Sequence, residues 1–149
     1  FYILFFPIKI KMINIKTLKG LDENELCQIE DMCSISGEYS KDYLQVVYEK
    51  LNDGTITGCL LYQNRFSGIS NIFFLFVKPN FRNQGIATKI MNLYKKIANS
   101  LTIMCIAEKS RAIFFFSKHQ FKIMSKSDLL KYEMNIVCDE DDIIMIYKK

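Results

Sequence analysis

The sequence predicts a single α/β (α+β) domain, and three consecutive segments indicate it. A continuous apolar run, "ISNIFFLFV" (69–77), has the composition of a strand buried on both faces. The segment from Gly85 to Ser100 then places its apolar residues on one face of a helix. A second apolar run, "LTIMCIA" (101–107), follows at once. The three segments together predict a strand–helix–strand crossover.

Three strands and a helix are predicted before this crossover. "INIKTL" (13–18) alternates apolar and polar residues, as a strand does. Residues 22–35 carry apolar side chains at helical spacing, with Asp22 as the N-cap. Residues 43–51 are compatible with a helix or a strand. The turn "NDG" (52–54), which leads into "TITGCLLYQ" (55–63), favours a β-hairpin.

After the crossover, "SRAIFFFSKH" (110–119) predicts a short helix. Three further segments predict strands, at 120–124, 132–137 and 142–149. No repeat or linker interrupts the chain, so we expect one domain over residues 12–149. Residues 1–11 are expected to be a flexible or upstream segment, although packing of "FYILFF" on the domain is an alternative.

Composition excludes several classes of function. The chain has 149 residues, half of them apolar and 24% charged, as in a soluble globular domain. A net charge of +4 with scattered lysines is too weak for a nucleic-acid partner. The apolar start of the chain is too short to span a bilayer, so we expect no membrane partner.

The cysteines predict reduced thiols. They are odd in number and form no C-x-x-C pair, which argues against a disulfide framework and against a zinc site. With a single histidine, His119, a histidine-rich metal site is also excluded. We therefore predict a cytoplasmic protein without a metal. The five residues are Cys27, Cys33, Cys59, Cys105 and Cys138.

The stretch "VKPNFRNQGIAT" (77–88) predicts an anion-binding loop. It joins the buried strand to the helix, whose first N–H groups lack intrahelical partners and carry the positive end of the helix dipole. Gly85 removes the side chain that would block close approach, so the loop suits a phosphate or pyrophosphate. The stretch contains neither G-x-x-x-x-G-K-[ST] nor G-x-G-x-x-G.

Two motifs resemble those of the GNAT superfamily, the acetyl-CoA-dependent N-acetyltransferases. "FLFVKPNFRNQGIATKIM" (74–91), with R-x-x-G-x-A, resembles the family's central motif along its whole length. "AIFFFSKHQF" (112–121) resembles its later helix-then-strand segment. The resemblance implies a mixed, mostly antiparallel sheet flanked by helices, in which the strand at 71–77 splays from the strand at 101–107.

The resemblance also implies acetyl-CoA as co-substrate and no metal. The pantetheine arm would lie in the opening between the two strands, bonded by backbone groups of Phe76 and Val77. Backbone N–H groups of the loop would hold the pyrophosphate, and residues of the second motif would contribute further contacts. The implied loop and motif residues are Arg82, Asn83, Gln84, Gly85, Ile86, Ala87, Thr88, Phe116 and Lys118.

Four positions depart from the family's pattern. Phe116 stands where many members have a tyrosine that protonates the leaving thiolate. Lys109 and Gln120 replace an asparagine and a glycine. Asn71 stands where some protein-lysine acetyltransferases have a general-base glutamate, and an amide cannot act as a base.

Glu108 is the candidate general base, because it is the sole carboxylate between Gly54 and Ser127. The alternative is a solvated loop residue that pairs with Lys109 or Arg111.

His119 is a second candidate, since histidine titrates near neutral pH. Its position at a predicted helix end also fits a structural role against the dipole. The backbone N–H of Val77 would polarise the thioester carbonyl.

We therefore expect transfer of acetyl to a primary amine of a small molecule, such as an amino sugar phosphate. Asn71, Lys109 and Arg111 are the candidate acceptor-binding residues, and Arg65 is a further cation for the anion of such an acceptor. A protein lysine or N-terminal amine is the alternative acceptor. A non-catalytic CoA-binding or interaction module is the alternative of another class, and homodimerisation is left open.

Overall fold

A computed structural model describes residues 11–34, 41–65, 67–132 and 138–149. These residues form seven strands and four α-helices. The strands are β1 (Lys11–Thr17), β2 (Gln45–Leu51), β3 (Ile56–Asn64), β4 (Ile69–Val77), β5 (Leu101–Ala107), β6 (Lys122–Met124) and β7 (Asp142–Lys148). The helices are α1 (Glu23–Cys33), α2 (Ile86–Ile97), α3 (Ala112–Lys118) and α4 (Lys126–Leu129). Short 3₁₀ turns cover Leu18–Gly20, Pro79–Phe81 and Leu130–Tyr132.

One mixed sheet contains all seven strands, in the order β1-β2-β3-β4-β5-β7-β6. Every neighbouring pair is antiparallel except β4 and β5, which are parallel and joined by α2. The predicted α/β fold with a mostly antiparallel sheet is confirmed, as is the crossover. The predicted hairpin is confirmed by the antiparallel pairing of β2 and β3.

The two parallel strands separate soon after they begin. Their pairing is limited to Ile69–Leu101, Ser70–Thr102 and Asn71–Ile103. Beyond Asn71 the strand β4 is paired on one edge alone, with β3. Beyond Ile103 the strand β5 is likewise paired on one edge alone, with β7. A wedge-shaped opening therefore lies between the carboxyl-terminal halves of β4 and β5.

A β-bulge lies in β4 where this separation begins. Leu61 of β3 pairs with Phe74, whereas the next residue, Tyr62, pairs with Ile72, so Phe73 is the extra residue. Bulges bend a strand and increase its local twist. The bulge thus helps to turn the end of β4 away from β5.

The prediction that residues 69–77 are buried on both faces is wrong for the second half of the run. Phe73 and Phe74 are 41% and 38% exposed. The physical reason is the opening, because this half of β4 has no neighbouring strand on one side.

Helices cover both faces of the sheet. On the face that we call the α2 face, α2 contributes Ile86, Ile90, Met91 and Tyr94 to the main core, together with Phe116 of α3. On the opposite α1 face, Ile29, Met32 and Cys33 of α1 pack against β2 and β3. Full burial of such apolar side chains contributes about 1.5–3 kcal/mol each relative to exposure.

The first predicted helix starts at its expected cap. The Asp22 carboxylate accepts a hydrogen bond from the Glu25 N–H at 2.8 Å. Hydrogen bonds from Glu25, together with the charges of Lys50 and Lys16, hold the pKa of Asp22 below its ordinary value. This N-cap of α1 is confirmed.

The thiol prediction is wrong for two of the five cysteines. Cys105 of β5 and Cys138 form a disulfide, whereas Cys27, Cys33 and Cys59 are free. The pairing of β7 with β5 brings Cys138, just before β7, back across β5 over a sequence separation of 33 residues. Spacing along the chain gave no sign of this contact.

Two sequence predictions fall mostly outside the described residues. Of the segment 1–11, the structure describes Lys11 alone, which is the first residue of β1 and pairs with Leu51. Of the strand predicted at 132–137, it describes Tyr132, which ends a 3₁₀ turn.

Candidate functional site

A cavity of about 700 Å³ lies at the mouth of the opening. The end of β4, the loop before α2, the first turn of α2 and one side of α3 form its walls. Its lining residues are Leu75, Phe76, Val77, Phe81, Arg82, Asn83, Gly85, Ile86, Ala87, Thr88, Arg111, Ala112, Phe115 and Phe116.

Gly85 stands at the start of α2, in the segment of residues 82–88 that we call the cradle. It is the N-cap residue and has φ +76°, in the left-handed region that favours glycine. A Cβ built at this position meets no protein atom within 4 Å, so the glycine faces open space. Asn83, also with positive φ (+61°), is a residue type that tolerates this conformation.

Arg82 ties the loop to the end of β4. Its Nε donates a hydrogen bond to the Val77 carbonyl at 2.9 Å. Its guanidinium also lies 5.6 Å from the centre of the Phe76 ring. The arginine of the motif therefore fixes the loop geometry and adds positive charge beside the cradle.

Backbone direction shows which groups of β4 face the opening. The Lys78 N–H donates to the Thr57 carbonyl of β3 at 2.9 Å. Because backbone groups alternate between the two edges of a strand, the N–H groups of Val77 and Leu75 point to the opposite edge, where the opening lies. The same alternation turns the Phe76 backbone toward β3. Phe76 is nevertheless among the residues that line the cavity, and its side chain packs against the α1-face core. Its predicted contact with a ligand stays a prediction.

Gly58 lets α2 approach the sheet at this point. A Cβ there would lie 3.0 Å from the Phe76 carbonyl oxygen and 3.1 Å from side-chain carbons of Ile86 and Val77. Contacts this short are tighter than most that real Cβ atoms make, so a side chain at position 58 would force its neighbours to shift. Sequence analysis did not single out Gly58, because the need for a missing side chain arises across two strands and a helix.

The α3 wall is apolar next to the cavity. Phe116 is 2% exposed, and its ring packs edge-on against Phe115 and Phe121 at 5.3 and 5.2 Å. Phe116 belongs to the main core and is also among the residues that line the cavity. Arg111, expected in the acceptor site, instead lines this cavity at the start of α3.

Several predicted residues lie outside the cavity lining. Gln84 is exposed, with its amide nitrogen 3.5 Å from the Asn80 carbonyl, and Lys118 is exposed on α3. Glu108 and Lys109 form the exposed turn directly after β5, at the β5 side of the opening. Among the described residues, Glu108 forms no ion pair with Lys109 or Arg111.

His119 lies at the carboxyl end of α3, away from the cavity lining. Its ring contacts Phe115 at 4.5 Å. Burial, and secondly the charge of Lys95, lower the pKa of His119 below its ordinary value. A neutral imidazole can accept a proton, but the structure does not bring this one to the cavity.

Four lining residues were missed as site residues from the sequence: Leu75, Phe81, Ala112 and Phe115. Phe81 and Ala112 lie within the two motifs, so their positions in the motifs could have identified them as site residues. Leu75 and Phe115 depend on the bulge and on helix placement, which no local pattern reveals.

In the described part of the chain, no helix is long and apolar enough to cross a membrane. Nor do the described residues contain a group of three or more His, Cys, Asp or Glu side chains that would hold a metal ion.

Comparison with known proteins identifies the family. The family model described as "Acetyltransferase (GNAT) domain" matches residues 41–123, which include β4, the loop, α2 and α3. No curated protein matches the sequence significantly.

Solved structures share the fold at low identity. GCN5 of Tetrahymena aligns with a TM-score of 0.72 and 18% identity, covering 92% of this chain and 95% of its own. The PaiA N-acetyltransferase from Thermoplasma acidophilum, in complex with coenzyme A, aligns with a TM-score of 0.65 and 15% identity, covering 93% of this chain and 99% of its own. The ribosomal-protein-S18-alanine N-acetyltransferase from Escherichia coli aligns with a TM-score of 0.61 and 15% identity, covering 92% of this chain and 94% of its own. With the family model matching more than half of its length, the chain belongs to the GNAT family and is an acetyl-CoA-dependent acyltransferase.

Proposed function

We propose that this protein transfers the acetyl group of acetyl-CoA directly to a primary amine of a small molecule. The observation that carries the proposal is the opening between β4 and β5, with an anion cradle at its mouth. The open space at Gly85 fits a pyrophosphate. The cavity of about 700 Å³ is within the usual size range of cofactor sites and suits acetyl-CoA.

The chain's own groups suit the two ends of such a ligand. N–H groups of Gly85 to Thr88 and the positive end of the α2 dipole would bind the pyrophosphate. Arg82 and Arg111 line the same cavity and add positive charge. Deeper in the opening, the N–H groups of Val77 and Leu75 are available to polarise the thioester carbonyl.

The reaction forms a C–N bond and breaks the C–S bond, and the amine must lose a proton. Asn71 and Phe116 carry no group that would accept or donate it. We assign the proton to Glu108, through water, because this carboxylate stands at the end of β5 beside the opening. Solvent supplies the proton to the leaving thiolate, since the phenylalanine cannot.

A small amine, such as an amino sugar phosphate, is the favoured acceptor. Asn71 in place of an acid argues against the pattern of protein-lysine acetyltransferases. A protein amine is the alternative, in line with the ribosomal-protein alanine in the name of the E. coli neighbour. A non-catalytic CoA-binding module is the alternative of another class. The argument for it is that Asn71 and Phe116 carry no side-chain group that accepts or donates the proton of the reaction.

Release of CoA thiol from acetyl-CoA, measured with a panel of amines, tests the proposal. The panel comprises glucosamine 6-phosphate, glucosamine, simple alkylamines and a lysine-containing peptide. We expect turnover with small amines, and a preference for the peptide would favour the alternative acceptor. CoA binding by calorimetry without turnover on any amine would contradict the proposed reaction and support the non-catalytic module.

A further inference from the structure

Arg65 is a half-buried cation that no part of the cofactor cavity uses. It lies in the turn between β3 and β4, and its backbone N–H donates to the Ile69 carbonyl at 2.8 Å. Within the described part of the chain, no carboxylate forms an ion pair with its guanidinium.

The guanidinium of Arg65 is fixed by the buried side chain of Asn71. Asn71 is 7% exposed. With its amide oxygen turned toward Arg65, that oxygen accepts hydrogen bonds from Nε at 3.2 Å and from Nη2 at 3.1 Å. Arginine has five N–H donors, so others remain for a ligand. The amide orients the cation without neutralising it, whereas a carboxylate at this position would cancel its charge.

This pair lies where the opening begins and on the face away from the cofactor loop. Asn71 and Ile103 form the last pair between β4 and β5. Asn71 stands opposite Gln63 on β3, and Phe74 stands opposite Leu61, whose side chain belongs to the α1-face core. Side chains alternate along β3, so Gln63 and Asn71 share the α1 face with Leu61.

The α2 face beside the opening is occupied by α2 and α3, and the cofactor cavity lies among them. On the α1 face the ring of Phe74 is exposed, so an acceptor can reach the opening from this side, where the Arg65–Asn71 pair lies further along β4. Leu75 is the lining residue of β4 nearest to Asn71. Their β3 partners, Leu60 and Gln63, are three residues apart because of the bulge, which gives a span of ~10 Å at the rise of a strand.

We propose that Arg65, held in place by Asn71, binds an anionic group of the acceptor, either a phosphate or a carboxylate. The acceptor is then an amine whose anion lies on the order of 10 Å from the nitrogen that is acetylated. The proposal rests on the proposed acetyl transfer and narrows its substrate class. In this arrangement Arg65 is a specificity residue and Asn71 a positioning residue.

The test compares acceptors that differ in charge at one end. Turnover by the full chain is measured with glucosamine 6-phosphate against glucosamine, and with 6-aminohexanoate against its amide, so that the two pairs distinguish phosphate from carboxylate. The variants are Arg65→Gln, Arg65→Lys and Asn71→Asp, with Lys122→Gln, exposed on β6, as the charge control. CoA affinity, measured by calorimetry, reports whether each variant is folded.

We expect the wild type to prefer at least one anionic acceptor over its neutral partner. Arg65→Gln should lower kcat/KM for that acceptor about 10- to 100-fold, mainly through KM, because a charged hydrogen-bonded contact is lost. The neutral acceptors and CoA affinity should stay unchanged. Asn71→Asp should also reduce the preference, Arg65→Lys should retain part of it, and Lys122→Gln should retain all of it.

Binding of the same four amines in the presence of CoA, measured without turnover, separates this inference from the proposed function. Equal use of charged and neutral amines, or a preference that survives in Arg65→Gln, overturns the anion site and leaves acetyl transfer standing. Charge-selective binding lost in Arg65→Gln, without turnover on any amine, supports the site and overturns acetyl transfer. If the protein shows no turnover and no charge-selective binding, both the anion site and acetyl transfer are overturned.

Discussion

Gly85 shows how one residue combines a backbone requirement with a binding role. Its positive φ would strain most side chains, and the space above its Cα is empty of protein atoms. A substitution there therefore acts in two ways, through strain in the loop and through obstruction of the cradle. The two effects are separable, because asparagine tolerates the left-handed conformation and still adds a side chain.

Gly85→Asn should weaken CoA binding by about tenfold or more, equivalent to ~1.4 kcal/mol, with a modest fall in Tm. Gly68→Asn is the matched control, because Gly68 has the same φ of +76° and lies in the β3–β4 turn, outside the cavity lining. Calorimetric titration with CoA and thermal melts of both variants provide the measurement. Equal CoA affinity in the two variants would contradict the assignment of the cradle.

Glu108→Gln tests the proton acceptor while keeping side-chain size. Losing a positioned general base lowers turnover about 10²–10⁴-fold, so we expect a loss of that order at neutral pH with CoA affinity unchanged. The deficit should shrink as pH rises, since more of the acceptor amine is then already neutral. Glu140→Gln, in an exposed turn before β7, is the control. Wild-type turnover by Glu108→Gln across pH 6 to 9 would leave solvent as the proton acceptor.

Helix α2 shows how an element is held where the site needs it. Its apolar side chains pack on the sheet, and the buried Tyr94 hydroxyl lies 3.0 Å from the Thr102 hydroxyl of β5. Tyr94 thus links α2 to the strand that borders the opening. Burial raises the pKa of Tyr94 to about 12, with a smaller opposing effect of its hydrogen bonds to Thr102 and Ser70.

This raised pKa predicts a loss of stability at alkaline pH. The unfolded chain releases the phenol proton near pH 10, whereas the folded protein holds it to about 12. The contribution of Tyr94 is therefore complete below pH 10 and is lost as pH rises through 12, by on the order of 2–3 kcal/mol.

Chemical denaturation between pH 8 and 12 measures this effect. Tyr94→Phe should flatten the alkaline slope in part, because burial also raises the pKa of Tyr62 and of Tyr48. Tyr43→Phe, at an exposed tyrosine, should retain the full slope. An unchanged slope in Tyr94→Phe would show that its hydroxyl ionises equally in both states.

At the scale of the whole molecule, the disulfide joins β5 to the segment that leads into β7. Cys105 and Cys138 should therefore be unavailable to thiol reagents even in the unfolded chain. Alkylation in denaturant followed by mass spectrometry should modify three thiols without reductant and five after reduction. Modification of all five without reductant would restore the expectation of reduced cysteines.

The sequence by itself determined the elements and the cofactor end of the site. The hydrophobic periodicity of α2 and the apolar runs of β4 and β5 are local, and so is the placement of Arg82 and Gly85 before a helix start. Residues that are close together in the sequence determine these features, because helix caps, strand burial and loop conformation depend on near neighbours.

Only the tertiary structure decided what depends on distant residues. The bulge at Phe73 arises from the register against β3, and it decides which backbone groups of β4 face the opening. The disulfide between Cys105 and Cys138, the absent side chain at Gly58 and the Arg65–Asn71 contact likewise join residues from separate elements or turns. Such contacts follow from how strands are paired and helices packed, which the order of residue types along the chain does not specify.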